Sequence, residues 1–181
     1  MAVTEIKFGG FGGQGIILAG MIVGKAAALY DNKEATLTQA FGPEARGSAC
    51  SAQVVVSDSR ILYPYVHRPH IMMLMSQDAY TRFSPELAKG GTLVIEEDLV
   101  NPVPLPEGAV VYKAPATRIA EELGRRMVLN IVMVGFFASV TKLLSAEAVR
   151  KAVQDSVPKG TIDLNLKAFD RGFEWGKKIA N

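Results

Sequence analysis

The sequence predicts an α/β fold: a three-layer αβα sandwich with a mixed, mostly parallel sheet and a helical C-terminal third. Strand-like and helix-like segments alternate over the first hundred residues, which favours helices packed on a sheet. Residues 71–75 (IMMLM) form a fully apolar run, typical of a parallel strand buried on both faces. From residue 117 onward the pattern is helical. A short turn at residues 58–59 between two extended runs indicates that the sheet is mixed.

The elements follow in order along the chain. The first strand runs into glycines, a small-residue helix follows, and a Thr-rich alternating run predicts the second strand. The three prolines of residues 101–108 predict a loop. The predicted strands cover residues 2–8, 35–41, 49–57, 71–75, 92–96 and 109–112. The predicted helices cover residues 16–29, 77–89, 117–123, 127–144, 146–154 and 162–179.

Length and composition predict one globular domain, residues 1–181, with 49% hydrophobic and 21% charged residues. A net charge of +2 argues against nucleic acid or an acidic membrane as partner. The longest apolar stretch, residues 127–140, is too short to span a bilayer, and the N-terminus lacks a secretory signal. The single cysteine excludes a disulfide framework or an iron–sulfur cluster held by this chain alone. We therefore expect a cytoplasmic protein.

A glycine loop follows the first predicted strand and opens the first helix. Glycines at 10, 12 and 15 have the G-x-G-x-x-G spacing of a Rossmann-like dinucleotide site. Glycines let a phosphate approach the backbone, and a helix amino end favours an anion. Alternatively, they only allow close helix–strand packing. The candidate binding residues here are Gly10, Gly12, Gly13, Gln14 and Gly15, of which Gln14 could bond a ligand or brace the neighbouring loop.

NAD is the less favoured ligand for this loop. A nicotinamide site requires an acidic residue at the far end of the second strand, where it holds the ribose hydroxyl groups. Here Asp31 and Glu34 precede that strand, and its far end is Gln39-Ala40-Phe41. A free-standing nucleotide- or flavin-binding oxidoreductase remains an alternative, as does a scaffold that binds no ligand.

A second loop, GPEARG at residues 42–47, adds Glu44, Arg46 and Gly47 to the candidate binding residues. Loops at the carboxyl ends of neighbouring parallel strands share one sheet edge, so we expect this loop beside the glycine loop. Arg46 offers a planar cationic fork for a phosphate or carboxylate. Alternatively, Glu44 and Arg46 form a solvated pair on a turn.

Together the two loops resemble those of the gamma subunit of 2-oxoacid:ferredoxin oxidoreductases, a group acting on pyruvate, 2-oxoglutarate, branched-chain 2-oxoacids or indolepyruvate. The run GGFGGQG at residues 9–15 and the run GPEARG carry the similarity. It extends through residues 52–62 and the apolar strand at Ile71, and it also includes Asn130 in its apolar helix, so that it covers most of the chain. Ser48 stands where the family often has a glycine.

The resemblance implies a non-autonomous subunit of an enzyme that oxidatively decarboxylates a 2-oxoacid to an acyl-coenzyme A and reduces ferredoxin. Thiamine diphosphate, magnesium and the iron–sulfur clusters are then expected on partners: thiamine-binding alpha/beta-type subunits and a cluster-bearing ferredoxin-like subunit or domain. The chain lacks a Gly-Asp-Gly…Asn run and a cysteine series, in agreement with this division. The resemblance further implies that this chain helps to shape the active site and contacts coenzyme A as co-substrate.

We expect no catalytic and no metal-binding residue in this chain. Cys50 lies in an apolar run and is predicted to be buried. His67 and His70 are separated by a proline that prevents a shared helix face. Arg125 and Arg126 are interpreted as a solvated pair.

Overall fold

The computed structural model describes residues 3–40 and 49–179, which form one six-stranded sheet with helices on both faces. The strands are β1 (Val3–Phe11), β2 (Glu34–Ala40), β3 (Ala49–Ser57), β4 (Ile71–Leu74), β5 (Thr92–Glu96) and β6 (Val110–Ala114). The helices are α1 (Ile16–Lys25), α2 (Gln77–Phe83), α3 (Ala116–Glu122), α4 (Leu129–Thr141), α5 (Ala146–Gln154) and α6 (Ile162–Ile179).

The sheet order is β2-β3-β1-β4-β5-β6. β3 runs antiparallel to both of its neighbours, whereas β1, β4, β5 and β6 pair in parallel. Five strands therefore share one direction, and only β3 among these six opposes them. This confirms the predicted mixed, mostly parallel sheet.

The two faces of the sheet are covered unequally. Alternate residues of β1, such as Ile6 and Phe8, enter a large apolar core that also includes α1 and α3–α6. The opposite face packs against α2 in a smaller apolar cluster. There Lys7 is buried, lies 4.3 Å above the Phe83 ring and pairs with Glu86. The three predicted layers are present, with most helices on one side.

Several predicted boundaries differ from the structure. β1 does not end at residue 8, because Gly9 and Gly10 continue the ladder opposite Ser51 and Cys50. The predicted helix 77–89 ends as α2 at Phe83, since the following 3₁₀ turn contains Pro85.

Two further helices differ at their ends. The predicted helix 16–29 is α-helical only to Lys25 and continues as a π-helix, Ala26–Tyr30. The predicted helix 127–144 is shorter: α4 begins at Leu129 after a 3₁₀ turn and ends where Lys142 adopts a left-handed conformation.

α4 is the central helix of the larger layer, and all but one of its residues are buried. This burial explains the long apolar run in the sequence. None of the helices within the described ranges is both long and apolar enough to cross a lipid bilayer.

Glycines bring α4 and α6 into backbone contact. A Cβ atom at Gly135 would lie 2.1 Å from the carbonyl oxygen of Phe169, and one at Gly172 would lie 1.9 Å from that of Val132. Only hydrogen fits at these two positions. The pair therefore fixes how closely α6 approaches α4, the helix whose Asn130 contacts Gly15.

Candidate functional site

The topology changes direction between β1 and β4. From β1 the chain passes through α1, on the larger helical layer, to the β2 side of the sheet. From β4 it passes through α2, on the opposite face, to β5. In such sheets the crevice at the carboxyl ends of the two central parallel strands is the usual ligand position. The glycine-rich turn between β1 and α1 lies at the carboxyl end of β1, and therefore at this position.

The turn itself comprises residues 12–15, because Gly9 and Gly10 belong to β1. Gly12 and Gly13 are exposed, and no atom lies within 4 Å of where their side chains would start. Gly13 and Gly15 have φ angles of 94° and 73°, in the left-handed region that favours glycine. The chain can therefore reverse direction here within four residues.

The amino end of α1 opens onto this turn. Gly15 is its N-cap and offers no side chain to the first helical amides. Such amides carry partial positive charge and favour an anion. The exposed turn and the uncapped helix end together form a surface that suits a phosphate or carboxylate.

Gln14 links the turn to the two central strands. Its Oε1 accepts a hydrogen bond from the backbone N–H of Phe11 (2.7 Å), and its Nε2 donates to the carbonyl oxygen of Met75 (3.0 Å). The side chain thus joins the end of β1 to the residue after β4. The sequence left two roles open for Gln14, a ligand contact or a brace for the neighbouring loop. Its hydrogen bonds within the chain are those of a brace.

Two glycines of the motif are explained by packing. A Cβ atom at Gly10 would lie 2.5 Å from Oε1 of Gln14, and one at Gly15 would lie 2.2 Å from Nδ2 of Asn130. Gly10 is buried in the strand, below the turn. The packing interpretation therefore holds for Gly10 and Gly15, whereas Gly12 and Gly13 remain open to a ligand.

Glu44, Arg46 and Gly47 lie outside the described residues. The residues that flank them do reach this edge: Ala40, at the end of β2, pairs with Ser51, and Ala49, at the start of β3, pairs with Phe11. β3 therefore lies between β2 and β1, so that the two predicted loops do not follow adjacent strands.

Glu96 is a buried residue of this edge that the sequence does not single out as a candidate. Its side chain is 0% exposed at the end of β5. Oε1 accepts from the N–H of Thr117 (2.9 Å), and Oε2 accepts from the N–H of Leu99 (2.7 Å). It therefore fixes α3 and the loop after β5. An acidic residue closing a strand of apolar residues was the available signal.

Asn130, a polar residue within the apolar helix α4, contacts the glycine turn. It is 4% exposed on α4, and its Nδ2 donates to the carbonyl oxygen of Gly15 (3.3 Å). The helix behind the turn thus holds the turn through one buried amide.

The two histidines of the sequence have structural partners. His70 Nδ1 accepts from the N–H of Glu5 (2.9 Å), and His67 Nε2 lies 3.0 Å from the Tyr63 hydroxyl. Arg125 and Arg126 are exposed. Within residues 3–40 and 49–179, no group of three or more His, Cys, Asp or Glu side chains is placed to hold a metal ion.

Cys50 is 7% exposed, as predicted, and burial raises the pKa of its thiol. The folded state therefore favours the protonated thiol. The stability that this thiol contributes is fully present below its pKa in the unfolded chain, and it is lost as pH rises through its raised pKa in the folded protein. We expect iodoacetamide to label Cys50 at least about ten times more slowly in the native protein at pH 7.5 than in urea. Mass spectrometry at timed intervals measures both rates. Equal rates would contradict the burial.

Comparison with known proteins gives one family over nearly the whole chain. Residues 5–175 match the family described as pyruvate ferredoxin/flavodoxin oxidoreductase. The 2-oxoglutarate synthase subunit KorC of Methanocaldococcus jannaschii is 51% identical over 97% of this chain and 95% of its own length. The pyruvate synthase subunit PorC of the same organism is 34% identical over 93% of this chain and 94% of its own length.

Solved structures have the same fold. The gamma subunit of a keto/oxoacid ferredoxin oxidoreductase from Geobacter sulfurreducens superposes with a TM-score of 0.86 at 38% identity, covering 97% of this chain and 99% of that one. A 2-oxoglutarate:ferredoxin oxidoreductase from Magnetococcus marinus, solved with 2-oxoglutarate, coenzyme A and succinyl-CoA, gives 0.88 at 23% identity, covering 98% of this chain and 32% of that one. At that identity the likeness concerns the fold alone.

Proposed function

Because this chain belongs to the pyruvate ferredoxin/flavodoxin oxidoreductase family, as the gamma subunit of a 2-oxoacid:ferredoxin oxidoreductase, we propose that the enzyme it serves oxidises 2-oxoglutarate. The observation that carries this proposal is the 51% identity to a 2-oxoglutarate synthase subunit, against 34% to the pyruvate synthase subunit of the same organism. Residues 1–181 would act as one domain of that assembly, in the cytoplasm.

Partner subunits supply the redox chemistry in this proposal. Thiamine diphosphate with magnesium, held by the thiamine-binding subunits, would supply the decarboxylation chemistry, and iron–sulfur clusters on a ferredoxin-like subunit or domain would supply electron transfer to ferredoxin. This chain has one cysteine, and it is buried, so its own residues do not fit a cluster. The gamma subunit contributes a surface that shapes the pocket and positions the acyl acceptor.

Coenzyme A is the ligand that we assign to the glycine turn. It carries several phosphate groups, and the turn combines exposed glycines with the uncapped amino end of α1. Gly12 and Gly13 leave room for a phosphate to approach the backbone. We propose that Arg46, with Glu44 and Gly47 in the segment between β2 and β3, completes this site. Binding there would hold the coenzyme A thiol toward the acyl group on the partner subunit.

The test uses the complex reconstituted with its thiamine-binding and cluster-bearing subunits. Gly12→Val places a branched side chain in the turn, and Arg46→Ala removes a cation. We expect each to weaken coenzyme A binding about ten-fold, which corresponds to about 1.4 kcal/mol. The KM for 2-oxoglutarate should stay unchanged. Gly160→Val is the matched control, because a Cβ atom at that glycine would likewise meet no atom within 4 Å.

Three results would overturn parts of the proposal. If both variants bound coenzyme A with unchanged affinity, the chain would be a scaffold subunit that binds no ligand. A complex that prefers pyruvate would contradict the substrate assignment. A stable chain that assembles with no such partner and binds NAD(P) or flavin would favour a free-standing oxidoreductase.

A further inference from the structure

We propose that Gln14 and Asn130 are positioning residues that hold the glycine turn from two sides and aim the amino end of α1, without touching the ligand themselves. The inference rests on the proposed function, since the ligand it concerns is coenzyme A at that turn. It assigns a role to Gln14 that differs from direct ligand contact.

The turn needs such support because of its composition. Three of the four residues of the turn, 12–15, are glycines, which have more backbone freedom than any other residue. Fixing the backbone of each such residue costs conformational entropy. If the turn were mobile in the free protein, the ligand would have to meet that cost on binding. A turn that is already held in its binding conformation does not incur this entropy cost when the ligand binds.

Gln14 supplies restraint from the sheet. Its two polar side-chain atoms both bond to backbone, one to the N–H of Phe11 and one to the carbonyl oxygen of Met75. The backbone N–H of Gln14 also donates to the carbonyl oxygen of Phe11 (3.1 Å). One residue thus ties the turn to the ends of β1 and β4. Gly10 is what makes room for its Oε1.

Asn130 supplies restraint from the helical layer. It lies in α4, whose residues are almost all buried, and it bonds to the carbonyl oxygen of Gly15. That carbonyl also accepts the first helical hydrogen bond of α1, from Ala19 (3.0 Å). The Asn130 amide therefore acts on the N-cap of the helix. At 4% exposure the side chain is shielded from a ligand at the surface.

Gln14→Met and Asn130→Ala test the proposal in the reconstituted complex. We expect each to raise the coenzyme A Kd, measured by calorimetry without 2-oxoacid, by about ten-fold, with kcat at saturating coenzyme A changed less than two-fold. Asn165→Ala is the control: Asn165, on α6, is also buried (7% exposed), and its Nδ2 donates to the backbone oxygen of Thr161 (2.9 Å).

Two further readouts separate positioning from contact. Hydrogen exchange in the ligand-free complex should be faster for residues 11–18 in both variants and unchanged in the control. Because both side chains act on the same turn, the double variant should lose less affinity than the product of the single losses. Exchange at the wild-type rate, or an Asn130→Ala complex with wild-type affinity, would overturn the proposal.

The outcome is distinguishable from failure of the proposed function. If Gly12→Val leaves coenzyme A affinity unchanged, the ligand assignment itself is wrong. If Gly12→Val weakens binding while Gln14→Met and Asn130→Ala do not, the turn binds the ligand but is not held by these side chains. The exchange rates remain informative in both cases, because they do not depend on coenzyme A.

Discussion

Gly172→Ala is expected to lower the free energy of unfolding by about 3 kcal/mol or more, since overpacking that moves backbone is costly. The added Cβ would lie 1.9 Å from the carbonyl oxygen of Val132 and 3.1 Å from the backbone nitrogen of Phe136. Neither atom can move without shifting α4. For a chain of this length the corresponding fall in Tm is roughly 10 °C, measurable by calorimetry.

Gly24→Ala is the matched control for this change. It makes the same substitution within a helix, α1, but no atom lies within 4 Å of its Cβ position. Alanine in a helix is favoured over glycine by about 0.8–1.0 kcal/mol, so this variant should be more stable than the wild type. The two substitutions therefore have opposite expected signs. A Gly172→Ala protein as stable as the wild type would contradict the close helix crossing.

Gly15→Ala is expected to lower the free energy of unfolding by about 2–5 kcal/mol. The φ of 73° costs a residue with a side chain about 1–2 kcal/mol, and the new Cβ would lie 2.2 Å from Nδ2 of Asn130. The overlap adds a packing penalty of about 1–3 kcal/mol. Because the hydrogen bond from Asn130 would be displaced, the same variant should bind coenzyme A more weakly. Thermal unfolding and coenzyme A titration measure the two effects.

Gly12→Ala is the control for this second prediction, since Gly12 has neither a left-handed φ nor a neighbour within 4 Å. Its unfolding free energy should stay within about 0.5 kcal/mol of the wild type. Asn130→Ala introduced beside Gly15→Ala should recover part of the loss, because it removes the overlap but not the strained φ. If the two glycine substitutions proved equally mild, the contact between the turn and α4 would be refuted.

Patterns local in the chain were enough to predict most elements. The apolar strand at residues 71–75 and helices α5 and α6 were predicted within a residue or so of their observed bounds. They are set by short-range periodicity and by breakers such as proline. The predicted end of β1, at residue 8, was wrong because a long-range contact sets it. Glycines at 9 and 10 look like a loop, but pairing with β3, forty residues away, keeps them in the sheet.

The site shows the same division. Local sequence placed Gly12, Gly13 and Gln14 at the amino end of a helix and so predicted where an anion could bind. It could not identify Gly15 as a packed glycine, because the side chain that a Cβ atom there would overlap belongs to Asn130, 115 residues away. Nor could it find the two amide donors of Glu96, which belong to another helix and loop.

The sequence by itself determined the fold class, the location of the glycine turn and, through two short loops, the family. Those properties depend on periodicity, glycine and spacing, which are read along the chain. The tertiary structure decided which glycines are steric necessities, that Gln14 bonds to both central strands, and that α4 holds the turn through Asn130. These are contacts between distant segments, fixed only when packing and hydrogen bonding bring the segments together.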